Sequence, residues 1–133
     1  MPGTLTLPAI AAKGFITTSL TPAATASGQA ANYGPAMAPV IANVASAVVS
    51  ITTIHTALIP SGAIAPPSKV GLNITTAALT QLTAISTAIS ATIAMSIVPA
   101  TVAGVPAAGA AIVTQLTTLE LFITTGLVLP LSA

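Results

Sequence analysis

The sequence predicts an all-α protein, a small bundle of about three apolar, Thr- and Ala-rich helices behind an extended N-terminal arm. Three observations carry that prediction. Apolar residues recur at steps of three and four over 36–59, 74–98 and 107–129, the spacing of one helix face. A proline follows each run, at Pro60, Pro99 and Pro130, where the missing N–H and the ring stop a helix. Strict apolar–polar alternation, the mark of a half-buried strand, is rare after residue 35. Thr, Ile and Val do favour strands, and Thr is a poor helix former. The three-four spacing nevertheless persists for whole turns, and it decides for helix.

Residues 1–35 hold Pro2, Pro8, Pro22 and Pro35 with Gly3, Gly14, Gly28 and Gly34. TLTL at 4–7 alternates like a strand, and FITTSL at 15–20 is a second candidate extended piece. This stretch is expected to form an arm, distinct from a helical domain over 36–133. The first helix, 36–59, puts Val40, Val44, Val48, Ile51, Ile54 and Leu58 on one stripe and Asn43, Ser46, Ser50 and Thr53 on another. Pro39 fits its first turn, where an N–H is not needed. PSGAIAPPSKVGL, 60–72, reads as a linker, and Asn73 as the N-cap of the second helix, 74–98. There Ile74, Ala78, Leu82, Ile85, Ile89, Ile93 and Ile97 form the stripe, opposite Thr76, Thr80, Thr83, Thr87 and Ser90. After the linker PATVAGVPAAG, the third helix, 107–129, aligns Ile112, Leu116, Leu119, Ile123 and Leu127.

A decamer recurs. VSITTIHTAL at 49–58 returns as TQLTAISTAI at 80–89 and TQLTTLELFI at 114–123. Ile51, Leu82 and Leu116 share a column, as do Thr52, Thr83 and Thr117. So do Ile54, Ile85 and Leu119, and Leu58, Ile89 and Ile123. The offsets, 31 and 34 residues, are one helix plus one linker. The pattern implies three helices presenting equivalent faces, with pseudo-three-fold packing as one arrangement. Small residues would allow close approach, and hydroxyls would bond within the helix or across to a neighbour.

Composition limits function. Charged residues are 2% of the 133, against roughly 25% in an average soluble domain. The whole set is Lys13, Lys69 and Glu120, with His55 the only histidine. Two lysines cannot neutralise a phosphate backbone, so no nucleic-acid partner is expected. No cofactor and no metal site are expected, because the carboxylate and thiolate ligands are missing. Lys13 and Lys69 are read as solvated loop charges. Phe15, Tyr33 and Phe122 form no aromatic platform. The N-terminus lacks a basic segment ahead of an apolar core, so no signal peptide is expected, and both chain ends are expected to be held by neighbours. Asn73-Ile74-Thr75 fits the glycosylation sequon, but an N-cap role explains Asn73 more simply.

His55, Ser86 and Glu120 occupy one column of the repeat, and they are the parts of a nucleophilic triad. No G-x-S-x-G turn exposes Ser86, so no catalytic residue is assigned and no enzyme is expected. His55 and Glu120 are expected to be partly exposed or paired with a neighbouring subunit, and a His55–Glu120 pair fixing helix register is the alternative use. What remains is a neutral exterior, which promotes association. The expected role is a structural subunit, partnered by copies of itself and other structural proteins. Its setting would be a virion (minor capsid, cement or tail component) or an extracellular filament. A small membrane protein is the competing expectation, since each helix is long enough to cross ~30 Å of hydrocarbon. Asn43, His55, Gln81, Gln115 and Glu120 interrupt the three spans, Trp is absent, and no positive-inside cluster flanks them. A lipid- or hydrophobic-surface-binding protein is the third.

Overall fold

The computed structural model of the chain describes residues 2–59 and 70–132. Their order is α1 (Pro2–Ser27), a 3-10 turn (Ala30–Asn32), α2 (Tyr33–Leu58), α3 (Leu72–Ser96), a 3-10 turn (Val102–Gly104), α4 (Val105–Ile123), a π-helical turn (Thr124–Val128) and the short α5 (Leu129–Ser132). No strand occurs among the described residues. The predicted linker residues 60–69, with Pro60 and Lys69, and the termini Met1 and Ala133 lie outside the described residues.

Each long helix packs on two others: α1 on α2 and α4, and α3 on the same two. Cross-helix contacts fix the directions. Between α1 and the α4–α5 segment, Thr6 meets Leu131 and Thr17 meets Glu120. On α2 and α3, His55 meets Thr75 and an added Cβ on Gly34 would meet Ile93. In both pairs one number rises as the other falls, so the helices are antiparallel. The result is an up-down-up-down four-helix bundle.

Its core follows one rule. Buried residues on α1 are Ala9, Ala12, Ile16, Ser19, Ala23 and Ala26; on α2 they are Tyr33, Met37, Val40, Val44, Ala47, Ile51, Ile54 and Leu58. On α3 they are Thr75, Ala78, Leu82, Ile85, Ile89, Thr92 and Ser96; on α4, Val105, Gly109, Ile112, Leu116, Leu119 and Ile123. Every step is three or four, in alternation. That is the seven-residue repeat of a left-handed bundle, in which each core side chain seats among four on the facing helix. The apolar columns of the decamer are core positions on α2, α3 and α4. The Thr column, at Thr52, Thr83 and Thr117, is exposed. The three copies occupy three corners of a four-cornered, antiparallel bundle, so no three-fold axis relates them.

Four local expectations are corrected. Residues 5–20 of the predicted extended arm are helix, and α1 is a full member of the bundle. Its seam is Ala and Ser apart from Ile16, and small residues let α2 and α4 approach closely. Pro8 and Pro22 are tolerated inside α1, fourteen residues apart. That is two seven-residue repeats, so both interruptions fall on the same side. Pro39 also sits inside a helix, because α2 begins at Tyr33. Asn73 does not cap α3; Gly71 is the N-cap residue and no side chain bonds the end. Pro130 does not close the last helix. The π turn before it widens the ladder, with Leu129 N–H donating to Thr124 O five residues back. Across it the buried residues are Ile123, Leu127 and Leu131, at steps of four. The turn thus carries the helix through a proline that would otherwise clash with a carbonyl one turn earlier.

Candidate functional site

Each side chain of the predicted His55, Ser86 and Glu120 column can be placed. His55, near the end of α2, is half-buried, and its Nδ1 lies 2.6 Å from Thr75 Oγ1 at the start of α3. The Thr75 hydroxyl also lies 3.1 Å from Leu72 O, and when it donates there the bond to His55 is donated by Nδ1. This bond ties the end of α2 to the start of α3. Glu120, on α4, accepts from Thr17 Oγ1 of α1 at 3.4 Å. Ser86 is exposed beside a shallow hollow with Ile41, Val44, Ile89 and Ser90.

The predicted column of His55, Ser86 and Glu120 is therefore not brought together. Helix α3 runs opposite to α2, so Ser86 does not stand level with His55. Ser86 is eleven residues along α3 from His55's partner Thr75, about 16 Å at 1.5 Å per residue. Glu120 turns toward α1, and the structure contains no His55–Glu120 contact. Among the described residues no group of three His, Cys, Asp or Glu could hold a metal.

A small-molecule site usually encloses 300–1,000 Å³ between facing walls. A hollow of about 180 Å³ lies on the α3–α4 seam among Gln81, Ala84, Ile85, Thr114, Gln115 and Thr118. A wider one of about 530 Å³ follows a single helix, α2, from Val48 to Ala57, and has no second wall among the residues lining it. The two glutamines share one repeat column, TQLT in both copies, and the fold brings them to one seam.

No family model, curated protein or solved structure matches the chain. The site must be read from its own chemistry, and the chemistry lies in the exterior as a whole. Exposed hydroxyls turn back onto their own helices. Thr53 donates to Val49 O at 3.0 Å, Thr80 to Thr76 O at 2.9 Å, Thr83 to Leu79 O at 3.0 Å and Thr117 to Val113 O at 2.9 Å. A hydroxyl spent this way needs no donation to water. Among the described residues nine large apolar side chains are exposed, including Leu7, Val49, Ile97, Leu121 and Leu129. Such a surface is compatible with an apolar neighbour.

One group stands apart. Tyr33 is fully buried at the start of α2, and its hydroxyl has no hydrogen-bond partner. The sequence marks Tyr33 only as the lone tyrosine. Tyr33→Phe removes an unsatisfied polar group without changing the packed ring, so it should raise the free energy of unfolding by about 1 kcal/mol. Denaturant titration followed by circular dichroism measures this. Burial also pushes the phenol above its usual value of 10.0. The folded chain then resists ionisation that the unfolded chain undergoes. Stability is intact below pH 10 and falls as pH rises past it, and the Phe variant should lose that component of the fall.

Proposed function

We propose that the chain is a structural subunit of an ordered assembly, in which neighbouring copies or other structural proteins cover its neutral exterior. The observation that carries this reading is the direction of its polarity. Most Leu, Ile and Val of α2, α3 and α4 hold seven-residue-repeat positions and point inward, and the outside is Thr, Ser and Ala with scattered aliphatics. A water-soluble monomer has the same interior but a charged exterior, and near-zero charge favours association. The proposal covers an ordered assembly of any shape; capsid, tail and filament share this chemistry.

A second reading has its own observation. Ala30–Leu58, Leu72–Ser96 and Val102–Ser132 are long and apolar enough to cross a membrane, with mean hydropathies of 1.7, 1.3 and 1.6. Lipid does not drive apolar side chains inward, and membrane bundles use small residues at their interfaces. The α1 seam fits that description. The Leu and Ile seams of α2, α3 and α4 do not, which is why assembly is preferred.

The test is to express the chain alone and fractionate it without detergent. An assembly subunit is expected in the soluble fraction or in a detergent-stable particle. Its circular dichroism should be helical and its mass by light scattering above that of the 12.8 kDa monomer. Recovery only in the membrane fraction, with release by detergent as a helical species, would overturn the assembly reading in favour of the second.

A further inference from the structure

The described part of this exterior carries one positive and one negative side chain, and the fold places both on the same face. Thr6 pairs with Leu131 and Thr17 with Glu120, so numbers across the α1–α4 seam sum to 137. Lys13 therefore stands opposite Thr124, four residues or about 6 Å along the axis from Glu120. Both are half-buried at the foot of the seam's outer face. No ion pair joins them in the structure; the contact of Glu120 is the Thr17 hydroxyl. Four of the nine exposed large aliphatics lie on the same two strips of chain: Leu7 and Ile10 on α1, Leu121 on α4 and Leu129 on α5. By the register above, Leu7 and Ile10 stand level with the last turns that hold Leu129. Leu121 adjoins Glu120. The face is thus apolar, with one cation and one anion displaced along it.

Such a face is complementary to itself. Turned by a two-fold axis, a second copy sets its anion against the first copy's cation and its cation against the first copy's anion. A two-fold contact repeats every interaction twice, so two ion pairs form at once. An unpaired charge enclosed by an apolar neighbour would be costly, so an apolar covering has to supply partners. A neutral lipid tail or an uncharged protein face does not; a second copy does. We propose that the outer face of α1 and α4 is a two-fold interface between copies of this chain, in which Lys13 of each copy pairs with Glu120 of the other. This rests on the assembly reading and names the first contact within it.

Charge reversal tests it, with association measured by sedimentation equilibrium across a concentration series. K13E alone and E120K alone each set like charges together twice and should weaken association on the order of tenfold or more. The decisive step is to mix the two variants. K13E and E120K together form a mixed dimer in which both pairs are again opposite, so the mixture should regain the parent's dissociation constant within about threefold. An ion pair inside one copy cannot be repaired by mixing. Circular dichroism of each variant checks its fold, and K13M and E120Q, which add no repulsion, replace any reversal that unfolds. Two results would overturn the interface. If both reversals associate as the parent does, copies meet elsewhere, and the assembly reading stands without this contact. If reversals dissociate but mixing restores nothing, the pair is not intermolecular. A parent chain that is monomeric throughout the series removes both the interface and a self-assembly built on it.

Discussion

Leu116→Ala is expected to lower the free energy of unfolding by about 2–5 kcal/mol. That is a large share of the ~5–15 kcal/mol typical of a whole domain. Leu116 is fully buried in the middle of α4, in the column it shares with Ile51 and Leu82. Truncation removes the transfer free energy of the lost carbons and leaves a space. Its neighbours on the facing helices are held in their own seats by the same repeat, so they cannot collapse to fill it. The adjacent Thr117 supplies the comparison. It is exposed, and its hydroxyl donates to Val113 O within the same helix. Thr117→Ala exchanges a weak helix former for the best one and leaves no buried group unpaired, so it should be neutral or stabilising by a few tenths of a kcal/mol. Guanidinium unfolding of the two variants separates the columns of the decamer. A small loss for Leu116→Ala would mean that the seam is not packed as described.

The same contrast explains what could be read in the sequence. Helices α2, α3 and α4 were legible because Leu, Ile and Val stand out against Thr and Ala at every third or fourth place. Their starts lie two or three residues before the predicted ones, and α2 and α4 begin on the buried Tyr33 and Val105, ahead of the stripes read from the sequence. Helix α1 was hidden for a related reason. Its seam is Ala9, Ala12, Ala23 and Ala26, and alanine does not mark a face in a chain where alanine is everywhere. The prolines then pointed the wrong way, since Pro8 and Pro22 read as breaks although the helix absorbs them. Pro130 misled likewise, because the π turn that accommodates it leaves no mark in the hydrophobic spacing until Leu127 and Leu131. The column of His55, Ser86 and Glu120 was real in the text but not in space. Sequence alignment ignores direction, and successive helices of the bundle run opposite ways. The Lys13–Glu120 face needed the α1–α4 register, which depends on a helix the sequence concealed.

Gly109→Val should cost about 3 kcal/mol or more and loosen one end of the bundle. Gly109 occupies a core position of α4 where the chain comes closest to the end of α1. A Cβ placed there would lie 2.6 Å from Ser27 Cβ and 3.1 Å from Ser27 Cα, with Tyr33 Cε1 at 3.4 Å. Two of these atoms are fixed to the α1 backbone, so the strain cannot be relieved by a rotamer change. Helix propensity acts the other way. Leaving glycine gains at most about 1 kcal/mol, reached with alanine and less with a β-branched residue, and the overlap exceeds it. Gly104 is the internal control. A Cβ there would meet only the Met95 methyl at 2.7 Å, and that methyl is the free end of a flexible side chain. Gly104→Ala should therefore fall within about 0.5 kcal/mol of the parent. Amide exchange would locate the damage. In Gly109→Val, protection should fall first in the last turn of α1 and the first turns of α2 and α4, while the far end, where Thr6 bonds Leu131 O, keeps its own. Uniform loss along all four helices would instead mean that the close approach at Gly109 holds no local contact and that the bundle melts as one unit.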